Sequence, residues 1–107
     1  MTPEAWTRVR RLIGLGARAR TVAVGVQQAR LAAQKHTVVM ALVATDASEH
    51  GKAKIVPMLK AKRVEIIGVE SAADLGDAVG KETTTVVAVL DAALARGIRD
   101  AIGSQPA

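Results

Sequence analysis

Two rhythms of apolar positions run along this chain, and they predict different elements. Thr37 to Ala44 is an unbroken, mostly apolar run bounded by polar residues, the pattern of a buried central strand. Val64 to Val69 predicts a second buried strand, Thr83 to Leu90 the last, and the β-branched segment Thr21 to Val24 a short first one. Between Val24 and Thr37, Val26, Ala29 and Ala33 recur at helical spacing while Gln27, Gln28 and Arg30 fall off that line, predicting an amphipathic helix from Val26 to about Lys35.

Capping residues place the other helices. Thr2, Pro3 and Glu4 supply a cap, a proline at the first helical position and an acid in the first turn, opening a helix that runs to about Leu15, where Gly14 and Gly16 loosen the chain. Asp46 and Glu49 have the spacing of a capping box and predict a helical turn there. Pro57 starts a short helix to about Lys62, Ser71 with Asp74 caps one through Val79 that Gly80 ends, and Asp91 caps the last, which ends near Ile102. Gly103 to Ala107 reads as a frayed tail. Helix and strand alternate throughout, so the expected fold is α/β, with helices on both faces of a four-stranded sheet and residues 1–107 as a single domain.

Composition narrows the chemistry. Half of the 107 residues are apolar, enough for one core. Trp6 is the only aromatic, so RNA bases cannot be stacked on exposed Phe and Tyr. Zero cysteines exclude disulfides and thiolate metal sites, and two histidines, His36 and His50, are too few for a metal cage; no metal or cofactor is expected. The chain shows neither a membrane-length apolar stretch nor a signal peptide, so a soluble, cytoplasmic protein without membrane contact is expected.

Charge changes the picture most. Residues 1–63 carry twelve Lys and Arg against three Asp and Glu, a balance of +9, whereas residues 64–107 carry three against seven, a balance of −4. Such asymmetry within one domain predicts a basic face, built by the first half, that attracts a polyanion. Nucleic acid is the leading candidate.

Of the candidate motifs, Gly14-Leu15-Gly16-Ala17-Arg18-Ala19 fits the dinucleotide fingerprint GxGxxA, but Arg10 to Ile13 before it is helical where that motif needs a strand. Asp46, Ser48 and His50 have the residue types of a hydrolase triad, yet helix capping accounts for the first two, and a working triad is assembled from separated segments. No enzymatic activity is expected. The Gly25 segment carries more. A helix starting there directs free backbone N–H groups and its positive dipole end outward, beside Arg20, Gln27, Gln28 and Arg30. Gln offers a donor and an acceptor to base edges, and Arg offers charge and a planar fork to phosphates.

At these residues the chain resembles the kink-turn RNA-binding ribosomal-protein superfamily, the L-seven-Ae type, and in particular its bacterial YlxQ-like branch. The resemblance covers about Leu12 to Ile102. It rests on Gly25 opening the second helix, Val38 to Ala44 followed by Thr45-Asp46-Ala47-Ser48, Val56-Pro57-Met58-Leu59, and Asp74-Leu75-Gly76-Asp77-Ala78-Val79-Gly80 leading into Val86-Val87-Ala88-Val89. It implies a three-layer α/β/α sandwich with a four-stranded mixed sheet, binding of kinked RNA, ribosomal RNA included, and ribosome association as a monomer. The family's RNA segment has Asn, Glu and Lys where this chain has Gln27, Gln28 and Leu31, with Arg30 adjacent and Lys35 at the helix end. Ala19-Arg20-Thr21 stands where the branch has Ala-Gly-Lys, and Lys81, Glu82, Thr83 and Thr84 match the second contact region by position. The expected site has Arg20, Gly25, Gln27, Gln28, Arg30 and Lys35 along one RNA groove, with Lys81 and Thr84 closing over a flipped nucleotide and Thr21, Glu82 and Thr83 as further RNA-contacting residues of the same two regions. Its stress-response relatives imply the rival, a protein-interaction module acting through the acidic second half.

Overall fold

Two strands, β2 (Met40–Ala44) and β4 (Val86–Val89), are buried along their whole length and supply both halves of the core. Successive side chains of a strand point to opposite faces. Met40, Leu42, Ala44, Val87 and Val89 therefore enter one apolar cluster, while Ala41, Val43, Val86 and Ala88 enter the other. The structure, a computed structural model, describes residues 1–103; residues 104–107 of the predicted tail lie outside them. β4 pairs antiparallel with β2 and with β1 (Val22–Val24), and β2 pairs parallel with β3 (Glu65–Val69). The sheet is mixed, in the order β1-β4-β2-β3.

Helices cover both faces. α1 (Pro3–Ala19), α5 (Ala72–Ala78) and α6 (Ala92–Gly103) bring Val9, Ile13, Leu75 and Ile98 to the first cluster. α2 (Val26–Gln34) and α4 (Val56–Ala61) bring Ala29 and Leu59 to the second, joined by Ile55, and the short α3 (Glu49–Ala53) packs against α4. This is the expected three-layer α/β/α sandwich. Three predicted caps form: Thr2 accepts from the Ala5 N–H at 3.1 Å, Ser71 from Asp74 at 3.0 Å and Asp91 from Leu94 at 2.8 Å. Each contributes on the order of 1 kcal/mol.

The structure corrects several boundaries. α1 does not stop at Leu15 but continues to Ala19, ended by Arg20 in the left-handed conformation (φ 62°). Gly14 and Gly16 are points of close approach rather than breaks. A Cβ on Gly14 would sit 3.0 Å from the Ala78 carbonyl oxygen, and one on Gly16 would sit 2.7 Å from Leu94 and 3.0 Å from Val22. The Asp46–Glu49 box does not form. Ser48 caps α3 by accepting from the Gly51 N–H, which frees Asp46 to accept from the Ala72 N–H of α5 at 2.7 Å. β2 begins at Met40 because His36 (φ 59°) and the Thr37 bonds to the Ala32 carbonyl are spent on closing α2. β3 is an edge strand with Glu65 and Gly68 exposed, not a buried one, and β4 starts at Val86 rather than Thr83. Gly103 closes α6 instead of opening the tail.

The basic residues of the first half do not share a face, which overturns the single basic face expected from charge. Arg8, Arg10, Arg11 and Arg18 lie on α1, whereas Arg30, Lys35, Lys52, Lys54 and Lys60 lie on or beside α2, α3 and α4. The sheet separates α1 from α2 and α4.

Two glycine substitutions should move stability in opposite directions. Gly16→Ala gains about 1 kcal/mol of helix propensity but meets atoms on three sides, and overpacking at about 1–3 kcal/mol outweighs that gain. Gly97→Ala meets only Leu12, at 3.5 Å, so the propensity gain remains. Urea unfolding should show the first destabilised and the second stabilised relative to wild type.

Candidate nucleic-acid interface

Sheet order determines which loops meet. The Gly25 N–H donates to the Val86 carbonyl at 2.9 Å and the Ala44 N–H donates to the Thr85 carbonyl at 2.8 Å. The exit of β1, the entry of β4 and the exit of β2 thus share one edge. Gly25 caps α2 at φ 90°, a conformation that favours glycine, and α2 has neither a side-chain cap bond nor an acid in its first turn. Its first N–H groups and positive dipole end therefore remain available to an anion. Gln27, Gln28 and Leu31 are exposed on the same helix.

The loop between α5 and β4 forms the other wall of this edge. It turns at Gly80 (φ 79°), and Lys81, Glu82 and Thr83 are exposed. Its position is set closely: the Lys81 N–H donates to the Gly76 carbonyl at 2.8 Å and the Thr84 N–H to the Ala72 carbonyl at 3.1 Å. A Cβ on Gly76 would lie 2.6 Å from the Thr83 Cα, so α5 touches the loop backbone directly.

A sequence profile of the ribosomal protein L7Ae/L30e/S12e/Gadd45 family matches residues 7–97. The chain belongs to this family. Membership makes it an RNA-binding protein of the ribosomal-protein, kink-turn-binding type and not an enzyme. In structure this family member is similar to a protein with unknown function from Bacillus halodurans C, with 30% identity over 90% of this chain and 97% of that one, and a TM-score of 0.79. It also shares its fold with the Giardia lamblia 15.5kD RNA binding protein at 19% identity, covering 97% of this chain and 89% of that one, with a TM-score of 0.78. Among curated proteins there is no match.

The shared edge of this family member does not gather every residue expected at it. Thr84 is buried, 8% exposed, and its hydroxyl donates to the Val86 carbonyl, so it presents no group for closing over a nucleotide. Arg20 and Thr21 belong to the opposite end of the sheet, where Leu90 N–H donates to the Thr21 carbonyl at 2.9 Å and Val22 pairs with Val89. Lys35 caps the far end of α2, about 15 Å from Gly25 at 1.5 Å per residue. Arg30 is half-buried, and its guanidinium donates to the Lys54 carbonyl, tying α2 to the end of α3. The single groove expected from sequence therefore divides: Gly25, Gln27, Gln28, Lys81, Glu82 and Thr83 hold one end of the sheet, and Arg20, Thr21 and Lys35 the other.

Two cations missed in the sequence reading lie on the Gly25 side. Gly51 approaches the Thr85 hydroxyl, where its added Cβ would sit at 3.3 Å, so α3 borders this edge. Lys52 donates to the Thr45 carbonyl at 2.9 Å and pairs with Glu49 at 3.1 Å, while Lys54 is exposed. Only the general excess of basic residues in the first half signalled them. Three of the seven acids of the second half have partners within the chain: Glu65 pairs with Arg99 at 2.6 Å, Asp77 with Arg10, and Asp91 caps α6. Among the described residues no cluster of His, Asp and Glu could hold a metal, and no helix is long and apolar enough to cross a membrane.

Gly76→Ala should displace the loop, because its neighbour is backbone and cannot turn aside. The expected outcome is a stability loss of about 1–3 kcal/mol in urea unfolding, together with weaker binding to kinked RNA under conditions where the variant is still folded.

Proposed function

We propose that the edge formed by Gly25, the first turn of α2 and residues 80–83 grips an RNA helix at its kink. The observation that carries this reading is the pair of backbone bonds from Gly25 to Val86 and from Ala44 to Thr85, which hold an uncapped helix start beside an exposed loop. Free N–H groups of the first α2 turn receive a backbone phosphate. Gln27 and Gln28 bond purine edges opened at the kink, taking the positions where the family has Asn and Glu. Leu31, 45% exposed where the family has Lys, gives an apolar contact in place of a charge, and Lys54 brings positive charge from the flank of the edge. In the cell the chain acts as a cytoplasmic monomer on structured RNA, ribosomal RNA included.

The decisive measurement compares a kinked RNA with a straight duplex of equal length at low and near-physiological salt. Preference for the kinked RNA that survives salt supports the reading; equal, steeply salt-dependent binding to both overturns it. Gln27→Ala should reduce affinity for the kinked RNA by about 5- to 150-fold, corresponding to about 1–3 kcal/mol for a good base-edge contact, and leave duplex affinity unchanged. Arg20→Ala, at the far end of the sheet, should change affinity for a short kinked RNA by less than about twofold, since no phosphate contact is lost there.

A further inference from the structure

The second basic surface lies on α1, across the sheet from α2, and the edge at Gly25 makes no use of it. α1 carries Arg8, Arg10, Arg11 and Arg18 against one acid, Glu4. A groove of about 370 Å³ runs between α1 and α5, lined among others by Thr7, Arg10, Arg11, Leu15, Arg18 and Asp77. Arg10 is paired with Asp77, and the Thr7 hydroxyl donates to the Pro3 carbonyl. Arg11 and Arg18 are exposed and have no partner among the described residues. With Leu15, 52% exposed between them, they form an i, i+4, i+7 stripe on the helix surface. Their Cα positions are about 10 Å apart along the axis at 1.5 Å per residue. That span is too long for one phosphate group to bridge, so the two guanidinium groups take different phosphates of the strand.

The position of the groove selects the occupant. Ala78 lines it at the end of α5, and two residues later Gly80 turns the chain into the exposed Lys81, Glu82 and Thr83 of the proposed interface. The groove thus adjoins the loop of the proposed interface through the end of α5. We propose that the α1 groove holds the phosphate backbone of a stem flanking the kink, in the same RNA molecule, with Arg11 and Arg18 as its phosphate ligands. Each guanidinium presents a planar fork suited to two phosphate oxygens, and neither has to give up an ion pair to do so. The one carboxylate in the groove, Asp77, is already neutralised by Arg10. This inference rests on the RNA reading given above and adds a second contact surface to it.

The test uses the full chain, the double variant R11A/R18A and the charge-preserving R11K/R18K, against a short kinked RNA and the same RNA with one stem lengthened by a helical turn. Wild type should bind the longer RNA about tenfold more tightly and with a steeper salt dependence. R11A/R18A should lose that gain, with the salt slope for the longer RNA reduced by about 1.5, and bind the short RNA within about twofold of wild type. R11K/R18K should recover most of the gain. A double alanine variant that keeps the gain, or that loses equal affinity for both RNAs, overturns the α1 groove while leaving the Gly25 edge standing. Failure of wild type to bind either RNA overturns the RNA reading and this inference together.

Discussion

The insertion of β4 between β1 and β2 is the constraint on which the rest of the structure depends. β4 is antiparallel to both neighbours, so its first residues lie beside the last residues of each. Chain segments around Gly25, Ala44 and Val86 are thereby brought to one edge, held by two backbone bonds of 2.9 and 2.8 Å. The same insertion buries β4 on both faces and gives each half of the core two of its residues. The same strand order therefore packs the interior and brings the start of α2 beside the entry of β4.

Small side chains set the distances between layers. With no Phe or Tyr and one Trp, the core is filled by Val, Ile, Leu and Ala, and the helices sit close to one another and to the sheet. Gly16 lets α1 approach Leu94 of α6 and Val22 of β1, and Gly76 lets α5 rest on the backbone of Thr83. The second contact supports the backbone that carries the exposed loop at residues 81–83. Gly25 differs from these two. Space for a Cβ exists there, and the requirement is the φ of 90°.

Positive charge is arranged in two layers rather than one. The arginines of α1 and the basic residues of α2, α3 and α4 occupy opposite sides of the sheet. Family membership supplies the RNA-binding character, and the layering leaves basic residues on each face of the sheet.

Local signals, side-chain bonds within one turn and a periodicity of two or about 3.6, were enough for the element order, three of the helix caps and the burial of Met40–Ala44 within the longer Thr37–Ala44 run. The sequence also marked Gly25 with Gln27 and Gln28, since a glycine-opened helix with exposed amides is readable from neighbours in the chain. Tertiary structure decided what depends on partners distant in sequence. Gly14 and Gly16 read as helix breakers until α5 and α6 show why they are small, and Asp46 reads as a cap for α3 until Ala72 takes its bond. Thr84 reads as exposed until its hydroxyl turns to Val86. Arg20 and Gly25 are five positions apart and look like one site, yet a strand runs between them, and a strand sends its two ends to opposite edges of the sheet.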